Sequence, residues 1–550
     1  MHFLCLYKCD IPIFLIDNLY NNFMIKKYLL LATLAYCVNS FGQAPVIQWQ
    51  DVAGGSNTDM FRSVITTSDG HYVTVGSTDS NDGDILNHHG EFDVLLFKYD
   101  QTGNLLWKKT FGGTGQDNGT SVRQTLDGGF IICGDSESTD GDAAVTHTST
   151  DYWIIKTDAS GTLEWQKSFG GSGYDIATDI RQTSDGGYIV IGESRSNSGD
   201  VASHYGNEDI WILKLDSAGT LLWQKNYGGN GEDGPRTILQ TPDGGYIFSS
   251  YTNSCAQDIV GLHDPYGCTG AFTNRDYWIV KLNASGNIVW KTTLGTDGND
   301  SVSDSPESLA MTSDGGYIVC GTTNPVWASG GDFDFKIYKL SSAGAVEWEK
   351  DYGGIYNDRA YAVVQTADGG YVISGATNSN GGDVSGNHSQ YYGSIGYDSD
   401  FWIIKTDAAG TLQWQKCYGG QGSETPYSML FTNDGGLIVA GDATSNNTGD
   451  VLTGHGLSEA WLIKLSAVSL ATADLEQTSF SVYPNPARHE INIPTDEDVQ
   501  MYSITDVTGK TVLKSTAGSK RIDVGGLHSG IYILEFTSAS GIFRQKFIKE

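Results

Sequence analysis

Short apolar runs broken by Gly- and Asx-rich turns fill most of this chain. One unit reads cleanly. Thr120–Thr125 is a short strand, Leu126-Asp127-Gly128 a turn, and Gly129–Gly134 an apolar strand. After a Ser/Thr/Asp/Gly-rich loop come Asp151–Lys156 and, past a hairpin through Asp158–Gly161, Thr162–Lys167. Gly161 sits where a short hairpin loop needs positive φ. Four strands of about six residues, each bounded by turn signals, predict one four-stranded propeller blade. Trp153-Ile154-Ile155 is apolar on both faces, as in a sheet sandwiched between two neighbours; a sheet with one wet face would alternate.

The unit recurs. Asp127-Gly128-Gly129, Asp185-Gly186-Gly187 and Asp243-Gly244-Gly245 are spaced by 58 residues, and Trp49, Trp107, Trp165 and Trp223 keep the same period before it drifts through Trp290 and Trp348 to Trp414. Self-similarity at a fixed period of this length signals a propeller or solenoid. Asp-Gly turns at Asp69, Asp127, Asp185, Asp243, Asp314, Asp368 and Asp434 give seven copies, as do third strands ending at Lys98, Lys156, Lys214, Lys281, Lys339, Lys405 and Lys464. The seven tryptophan strands are displaced by one unit. Trp49 precedes every turn, and no tryptophan strand follows the last third strand at Trp461. The predicted fold is therefore all-β: a seven-bladed β-propeller over 44–466, closed by Val46–Val52 as the outer strand of the last blade. A linker at 467–479 leads to a small Ig-like β-sandwich at 480–550.

Two resemblances follow. Asp158-Ala159-Ser160-Gly161-Thr162-Leu163-Glu164-Trp165 and its variants at Trp107, Trp223 and Trp414 look like the tryptophan-docking repeats of quinoprotein-type propellers. The whole D-G-G-Y, D-Y-W, W-Q-K repeat resembles secreted propellers of Bacteroidetes. The tail opens with Tyr483-Pro484-Asn485-Pro486, continues through Asp506-Val507-Thr508-Gly509-Lys510, and later reads Gly530-Ile531-Tyr532. It resembles the type A sorting domain of the type IX secretion system. That resemblance implies the secretion machinery as a partner, and an extracellular or outer-membrane location.

Charge narrows the function classes. The formal net charge is −32. The segment before Gln43 has three Lys and two acidic residues, and 480–550 balances eight basic with eight acidic, so the repeats carry all the excess. Such a field repels phosphate backbones and excludes nucleic acid as a partner. Lys26-Lys27, the apolar run Tyr28–Val38 and Ser40-Phe41-Gly42 have the layout of a secretory signal peptide within 1–43, with Met24 the expected start. Eleven apolar residues do not span a bilayer, so no transmembrane segment is expected in the mature chain. Cys133, Cys320 and Cys417 fall on strands as small core fillers, while Cys255 and Cys268 flank an insertion and are a candidate disulfide.

Three acidic series recur. Asp59, Asp117, Asp175, Asp233, Asp300, Asp358 and Glu424 follow the G-G of each copy, as turn caps or as a ring around the channel mouth. Asp79, Asp82 and Asp84 crowd one loop and are the candidate Ca²⁺ ligands, since Ca²⁺ takes six to eight oxygens. Asp93, Asp151, Asp209, Asp276, Asp334, Asp400 and Glu459 each lie five residues before the strand lysine. Odd spacing puts the two groups on opposite faces, so they would pair only with a neighbouring blade. His88, His89, His147 and His204 lie in variable loops and read as solvent-facing. No H-E-x-x-H, G-x-S-x-G or phosphate-cradling loop occurs, so no catalytic or cofactor-binding residue is assigned.

The expectation is a non-catalytic binding or adhesion protein for a glycan or surface protein, with Ca²⁺ the one candidate cofactor. Two alternatives remain: a secreted propeller enzyme, polysaccharide-degrading or quinoprotein-like, and a rigid scaffold. The quinoprotein variant lacks its adjacent Cys-Cys pair. The polysaccharide variant would need a cluster of His, Tyr and Arg that breaks the repeat.

Overall fold

The computed structural model describes residues 44–550 apart from 86, 144, 146, 148, 260, 264–274, 296–303, 324–332, 392–395, 455, 469–481, 494–498, 500, 507–509, 516–518 and 539–540. The expected signal peptide and most of the expected linker lie outside these residues. Every regular element among them is a β-strand, and none holds a helix long and apolar enough to cross a membrane. Two compact units result: Gln43–Val468, and a second that contains Ser469–Glu550.

The first unit contains seven four-stranded antiparallel sheets. In one of them Asp117–Gln124, Phe130–Ser136, Asp151–Thr157 and Leu163–Phe169 pair in chain order, as inner, second, third and outer strand. The second and third strands are buried at every position, whereas the outer strand is mostly half-buried. This is why the third strand carries no polar alternation: both its faces meet another sheet. One such core joins Val75 and Leu96 of the first sheet to Val122, Ile132 and Trp153 of the second. Burying an aliphatic side chain fully contributes about 1.5–3 kcal/mol.

The repeated Asp-Gly-Gly turn has a separate reason for each residue. Asp127 Oδ1 accepts from the Gly129 amide (2.9 Å) and the Thr125 hydroxyl. Gly128 has φ +86, a region glycine occupies without strain. Gly129 is fixed by space, because a Cβ there would lie 2.1 Å from the Thr157 carbonyl oxygen. The strand lysine completes the motif. Lys156 Nζ lies 3.0 Å from Asp127 Oδ2 and donates to the Thr157 carbonyl at 2.8 Å. The same pairing recurs as Lys98–Asp69, Lys214–Asp185, Lys281–Asp243, Lys339–Asp314, Lys405–Asp368 and Lys464–Asp434, all within 2.9–3.1 Å. The lysines thus bind the turn of their own sheet. The expectation of a partner on a neighbouring blade does not hold for them.

Consecutive sheets are stitched by one recurring bond. The Asp117 amide donates to Phe92 O (2.8 Å), Asp175 to Thr150 O (2.9 Å) and Asp233 to Glu208 O (2.9 Å). The Asp59 amide makes the same bond to Ser458 O (2.8 Å), which links the first sheet to the last. That last sheet is completed by Ile47–Ala53, antiparallel to Glu459–Leu465. Tryptophans from one outer strand lie against the hairpin glycine of the next sheet: a Cβ on Gly161 would meet Trp107 at 2.9 Å, and one on Gly103 would meet Trp49 at 2.6 Å.

The second unit has a four-stranded sheet, Thr511–Ser515, Met501–Asp506, Gly530–Ser538 and Gly541–Lys549 in spatial order, and a two-stranded one, Glu490–Asn492 with Arg521–Asp523. Val482, Ile491, Ile504, Ile522, Leu534 and Phe547 share one buried cluster.

Candidate functional site

The inner strands line a cavity of about 520 Å³. Each inner strand carries a β-bulge. Phe61 faces Gly76 and Ser63 faces Val75, so Arg62 is the extra residue. The equivalent extra residues are Thr120, Thr178, Arg236, Glu307, Tyr361 and Tyr427. All seven border the cavity. Bulges re-aim a side chain out of the ladder and recur beside functional sites. Here they present Arg, Thr, Thr, Arg, Glu, Tyr and Tyr in turn.

The scaffold makes room for six of the seven bulges with a glycine. A Cβ on Gly76 or Gly134 would lie 1.8 Å from the Met60 or Asn118 carbonyl oxygen. Six of the seven second strands have glycine at that place, Gly76, Gly134, Gly192, Gly321, Gly375 and Gly441, and the fourth has Ser250 opposite Pro235. An isolated glycine inside an apolar strand marks a bulge or a close backbone approach. This is the sequence signal that would have found the site.

The cavity is electrostatically uneven. Asp179, only 4% exposed, accepts from Arg123 Nη2 (2.8 Å), Ser121 Oγ (2.9 Å), Arg181 Nε (3.1 Å) and the Ile238 amide (3.1 Å). Two guanidinium groups thus share one carboxylate. Burial, then the neighbouring Arg181 charge, pushes Arg123 down to about 10. Arg123 Nε is buried and finds no hydrogen-bond partner. Arg236 Nε pairs with Glu307 Oε2 at 2.9 Å. Arg62 is exposed and stacks over Tyr427, its guanidinium carbon 4.2 Å from the ring centroid, and Tyr361 meets Tyr427 edge-on at 5.6 Å.

Beside Arg236 lies a second charged cluster. Glu208 accepts from Tyr251 Oη and Arg195 Nη2, each at 2.8 Å. Arg275 covers the Tyr251 ring at 4.1 Å. Burial, and then the Glu208 charge, raises the Glu193 carboxyl. Burial opposes ionisation of Glu208 too, but hydrogen bonds from Glu193, Tyr251 and Arg195 lower it below the ordinary range.

The sequence-derived candidates are placed elsewhere. Asp59 and Asp117 are fully buried caps. Asp117 accepts from the Gly113 amide (2.7 Å), Ser138 Oγ (2.7 Å) and Ser136 Oγ, and Asp59 from the Gly55 amide (2.8 Å), Ser80 Oγ (2.8 Å) and Thr78 Oγ1. Buried oxygens bonded this way cannot ring a channel mouth. Asp300 lies outside the described residues, and Asp304 takes the equivalent place, its amide donating to Arg275 O at 2.8 Å.

Asp79, Asp82 and Asp84 each have a separate partner. Asp79 accepts from the Thr58 amide (2.6 Å), Asp82 from the Ser56 amide (2.7 Å), and Asp84 faces Lys108 Nζ at 3.4 Å. Among the described residues no group of three or more His, Cys, Asp or Glu side chains could hold a metal. Cys255 is disulfide-bonded, and its expected partner Cys268 lies outside the described residues. Cys133, Cys320 and Cys417 are buried free thiols.

His88, His147 and His204 are half-buried, which corrects the solvent-facing reading for them, while His89 is exposed. His89 Nδ1 lies 3.0 Å from Asp93, His147 2.8 Å from Asp151, His204 3.1 Å from Asp209, His263 2.9 Å from Asp276 and His388 2.6 Å from Asp400. Each histidine ties its loop to the buried first residue of a third strand. The variable loop lengths hid the pattern, since the interval runs from four to thirteen residues.

In the tail, Tyr483 is exposed and bridges to Asn492; the bonds Tyr483–Pro484 and Asn485–Pro486 are cis. Asn485 Oδ1 accepts from the Ile548 amide (2.8 Å), pinning the opening motif to the last strand. Gly530 starts a strand, and Tyr532 donates to His528 O (2.9 Å) and stacks with Phe547 at 5.8 Å. Gly509 lies outside the described residues.

Residues 481–550 match the family described as Secretion system C-terminal sorting domain. Regulatory protein FlaEY of Caulobacter vibrioides is 24% identical over 496 residues, covering 87% of this chain, which spans only 43% of that protein. Among solved structures, PorZ of Porphyromonas gingivalis, described as an essential surface component of the type IX secretion system, aligns with a TM-score of 0.39 at 10% identity. That alignment covers 92% of this chain and 61% of that one. The extracellular domain of BT4673 from B. thetaiotaomicron gives a TM-score of 0.37 at 12% identity, covering 93% and 59%. Similarities this low carry no weight for function. The sorting-domain match and the repeated sheets together identify the chain as a β-propeller repeat protein with a type IX secretion C-terminal sorting domain, exported through that machinery to the cell surface or extracellular space.

Proposed function

We propose that the exported protein is a non-catalytic binding or adhesion protein whose ligand, a glycan or a surface protein, enters the cavity bordered by the seven bulge residues. In this reading 44–466 is a seven-bladed propeller closed by its N-terminal strand, 467–479 a linker, and 480–550 an Ig-like sandwich. The observation that supports it most is the contrast between strands and turns that repeat closely and a bulge position that changes among Arg, Thr, Glu and Tyr from sheet to sheet. The volume also falls within the range of small-ligand sites, about 300–1,000 Å³. The test is a glycan and matrix-protein binding screen of the secreted protein with and without EDTA. Specific binding that survives EDTA and weakens in Tyr427→Ala is the expected result. Binding indifferent to the cavity variant would sink the reading.

A second reading, a polysaccharide-degrading enzyme, is favoured by the Glu193–Glu208 pair beside Tyr251 and Arg236. Paired carboxylates held in opposite protonation states are the arrangement general acid–base chemistry needs. Turnover on a polysaccharide panel, abolished by Glu193→Gln, would establish it over simple binding.

A further inference from the structure

The charge inside the cavity runs against the charge of the chain. The protein carries a formal net charge of −32, yet four of its ten arginines, Arg62, Arg123, Arg181 and Arg236, line this one cavity. Among the described residues two carboxylates line it with them, Asp179 and Glu307. Arg236 and Glu307 neutralise each other at 2.9 Å. Arg123 and Arg181 divide the single Asp179 carboxylate, leaving one positive charge over. Arg62 forms no ion pair among the described residues and leaves a second. Asp135 and Asp442 also feel the Arg62 charge, but burial pushes both carboxyls up, Asp135 to about 6. Neither forms an ion pair with Arg62: Asn118 bonds Asp135 at 3.0 Å, and Tyr427 and Ser458 (3.1 Å) bond Asp442.

The unmatched donors have a definite geometry. A guanidinium presents a planar fork that matches a carboxylate or sulfate with two parallel hydrogen bonds. The exposed Arg62 guanidinium carbon sits 4.2 Å over the Tyr427 ring centroid, and the buried Arg123 Nε lacks an acceptor among the described residues. Around them the lining is hydroxyl-rich, with Thr120, Thr178, Thr237 and Ser308. Tyr361 and Tyr427 add an aromatic corner, their rings 5.6 Å apart and nearly perpendicular. Hydroxyls for a polyol, an aromatic wall for the apolar face of a ring, and two unmatched cationic groups together describe a charged sugar.

We infer that the cavity selects an acidic saccharide, its anionic group received by Arg62 and by the Arg123–Arg181 pair, and its ring set against Tyr427. The inference rests on the binding reading above and adds the ligand class. It also gives the acidic exterior a role. The outward field turns away polyanions at long range, whereas a short acidic saccharide that reaches the cavity meets local positive charge at contact distance, inside one Debye length of about 8–10 Å.

The test is calorimetric titration of the secreted protein with three matched trisaccharides: a uronic-acid form, a sulfated form and the neutral form. The expected result is binding of at least one acidic form about tenfold or more tighter than the neutral one, the scale of one charge-assisted bidentate contact. Arg62→Ala then weakens the acidic ligand by a similar factor and the neutral one by much less. Arg62→Lys recovers only part, because it restores charge without the planar fork. The uronic-acid and sulfated arms tell which anion is preferred. Equal affinity for acidic and neutral forms, or indifference of the acidic form to Arg62→Ala, overturns the inference while leaving glycan binding intact. No binding of any form, with Arg62→Ala still folded by circular dichroism, overturns the inference and the glycan-binding reading together.

Discussion

Trp49 stands opposite Lys464 in an antiparallel pair, the same register that Trp107 keeps with Lys98 and Trp165 with Lys156. A strand from the start of the first unit therefore occupies the outer place of the last sheet, and Trp49 lies against Gly103 of the first sheet. The indole also donates to Gln101 O at 3.1 Å. One side chain thus touches both ends of the succession of sheets.

Truncation to residue 54 should remove the outer strand of the last sheet and leave Glu459–Leu465 as an open edge, which invites aggregation. Trp49→Ala should cost about 2–4 kcal/mol in denaturant unfolding, at the lower end for a tryptophan because the site is half-buried. A synthetic peptide covering 44–53 added to the truncated protein should raise its melting temperature. No rescue by the peptide would mean that closure does not depend on this strand.

The lysine–turn pairs are alike in geometry and unequal in support. Lys156 binds both Asp127 and Glu164, while Lys405 has Asp368 and the Thr406 carbonyl. Lys405 is fully buried, so Asp368→Ala should leave an unmatched buried charge and cost about 2–4 kcal/mol. Asp127→Ala should cost about 1 kcal/mol or less, since Glu164 remains and Asp127 is mostly exposed. Urea midpoints of the two variants measure the difference, and equal losses would contradict the account.

Stability should fall as pH rises through neutrality. Burial is the main force on Glu424 and lifts its carboxyl from 4.5 to about 8, against hydrogen bonds from Ser445 and the Gly420 amide. Between those values the folded state holds a proton that the unfolded state has released, so stability declines with pH across the window. His388 acts in the same direction. Its bond to Asp400 raises it above 6.5, and the stability it contributes below 6.5 is lost as pH passes its folded value. Melting temperatures from about pH 5 to about pH 8.5 should therefore slope downward, and Glu424→Gln should flatten the slope and raise stability at the alkaline end.

Thiol labelling should separate the cysteines. Cys133, Cys320 and Cys417 are at most 2% exposed, and burial pushes the Cys133 thiol up to about 12. Alkylation of the native protein should leave these three untouched, denaturant should expose them, and Cys255 should react only after reduction. Mass spectrometry counts the adducts. A native-state adduct on Cys133 would show that the sheets open locally.

Deleting 481–550 should hold the protein inside the cell, measured by protease accessibility on intact cells. Asn485→Ala should have a smaller effect, loosening the opening motif from the last strand through loss of the Ile548 amide contact.

Much of the fold was legible because its causes are local and repeated. The turn residues Asp127, Gly128 and Gly129 each act within a few residues of themselves, and seven repetitions made the pattern plain. The apolar third strand around Trp153 announced burial on both faces, and the displaced tryptophan strand pointed to Trp49 as the last partner of Lys464. The charged partners were less legible. His147 and Asp151 are four residues apart but His263 and Asp276 thirteen, so loops of different length hid a constant contact.

The amino-acid sequence by itself determined the strands, their turns, the number of repeats and the sorting tail, because periodicity and turn chemistry depend on neighbours in the chain. Only the tertiary structure decided which side chains share a space. Arg62, Arg236, Glu307 and Tyr427 look like unrelated variations within four repeats. A bulge, facing a glycine on the adjacent strand in three of these four and Ser250 in the case of Arg236, lifts each of them out of its ladder, and the packing of successive sheets gathers them around one cavity. Spatial convergence of distant residues is a property of the packed sheets, which no single repeat contains.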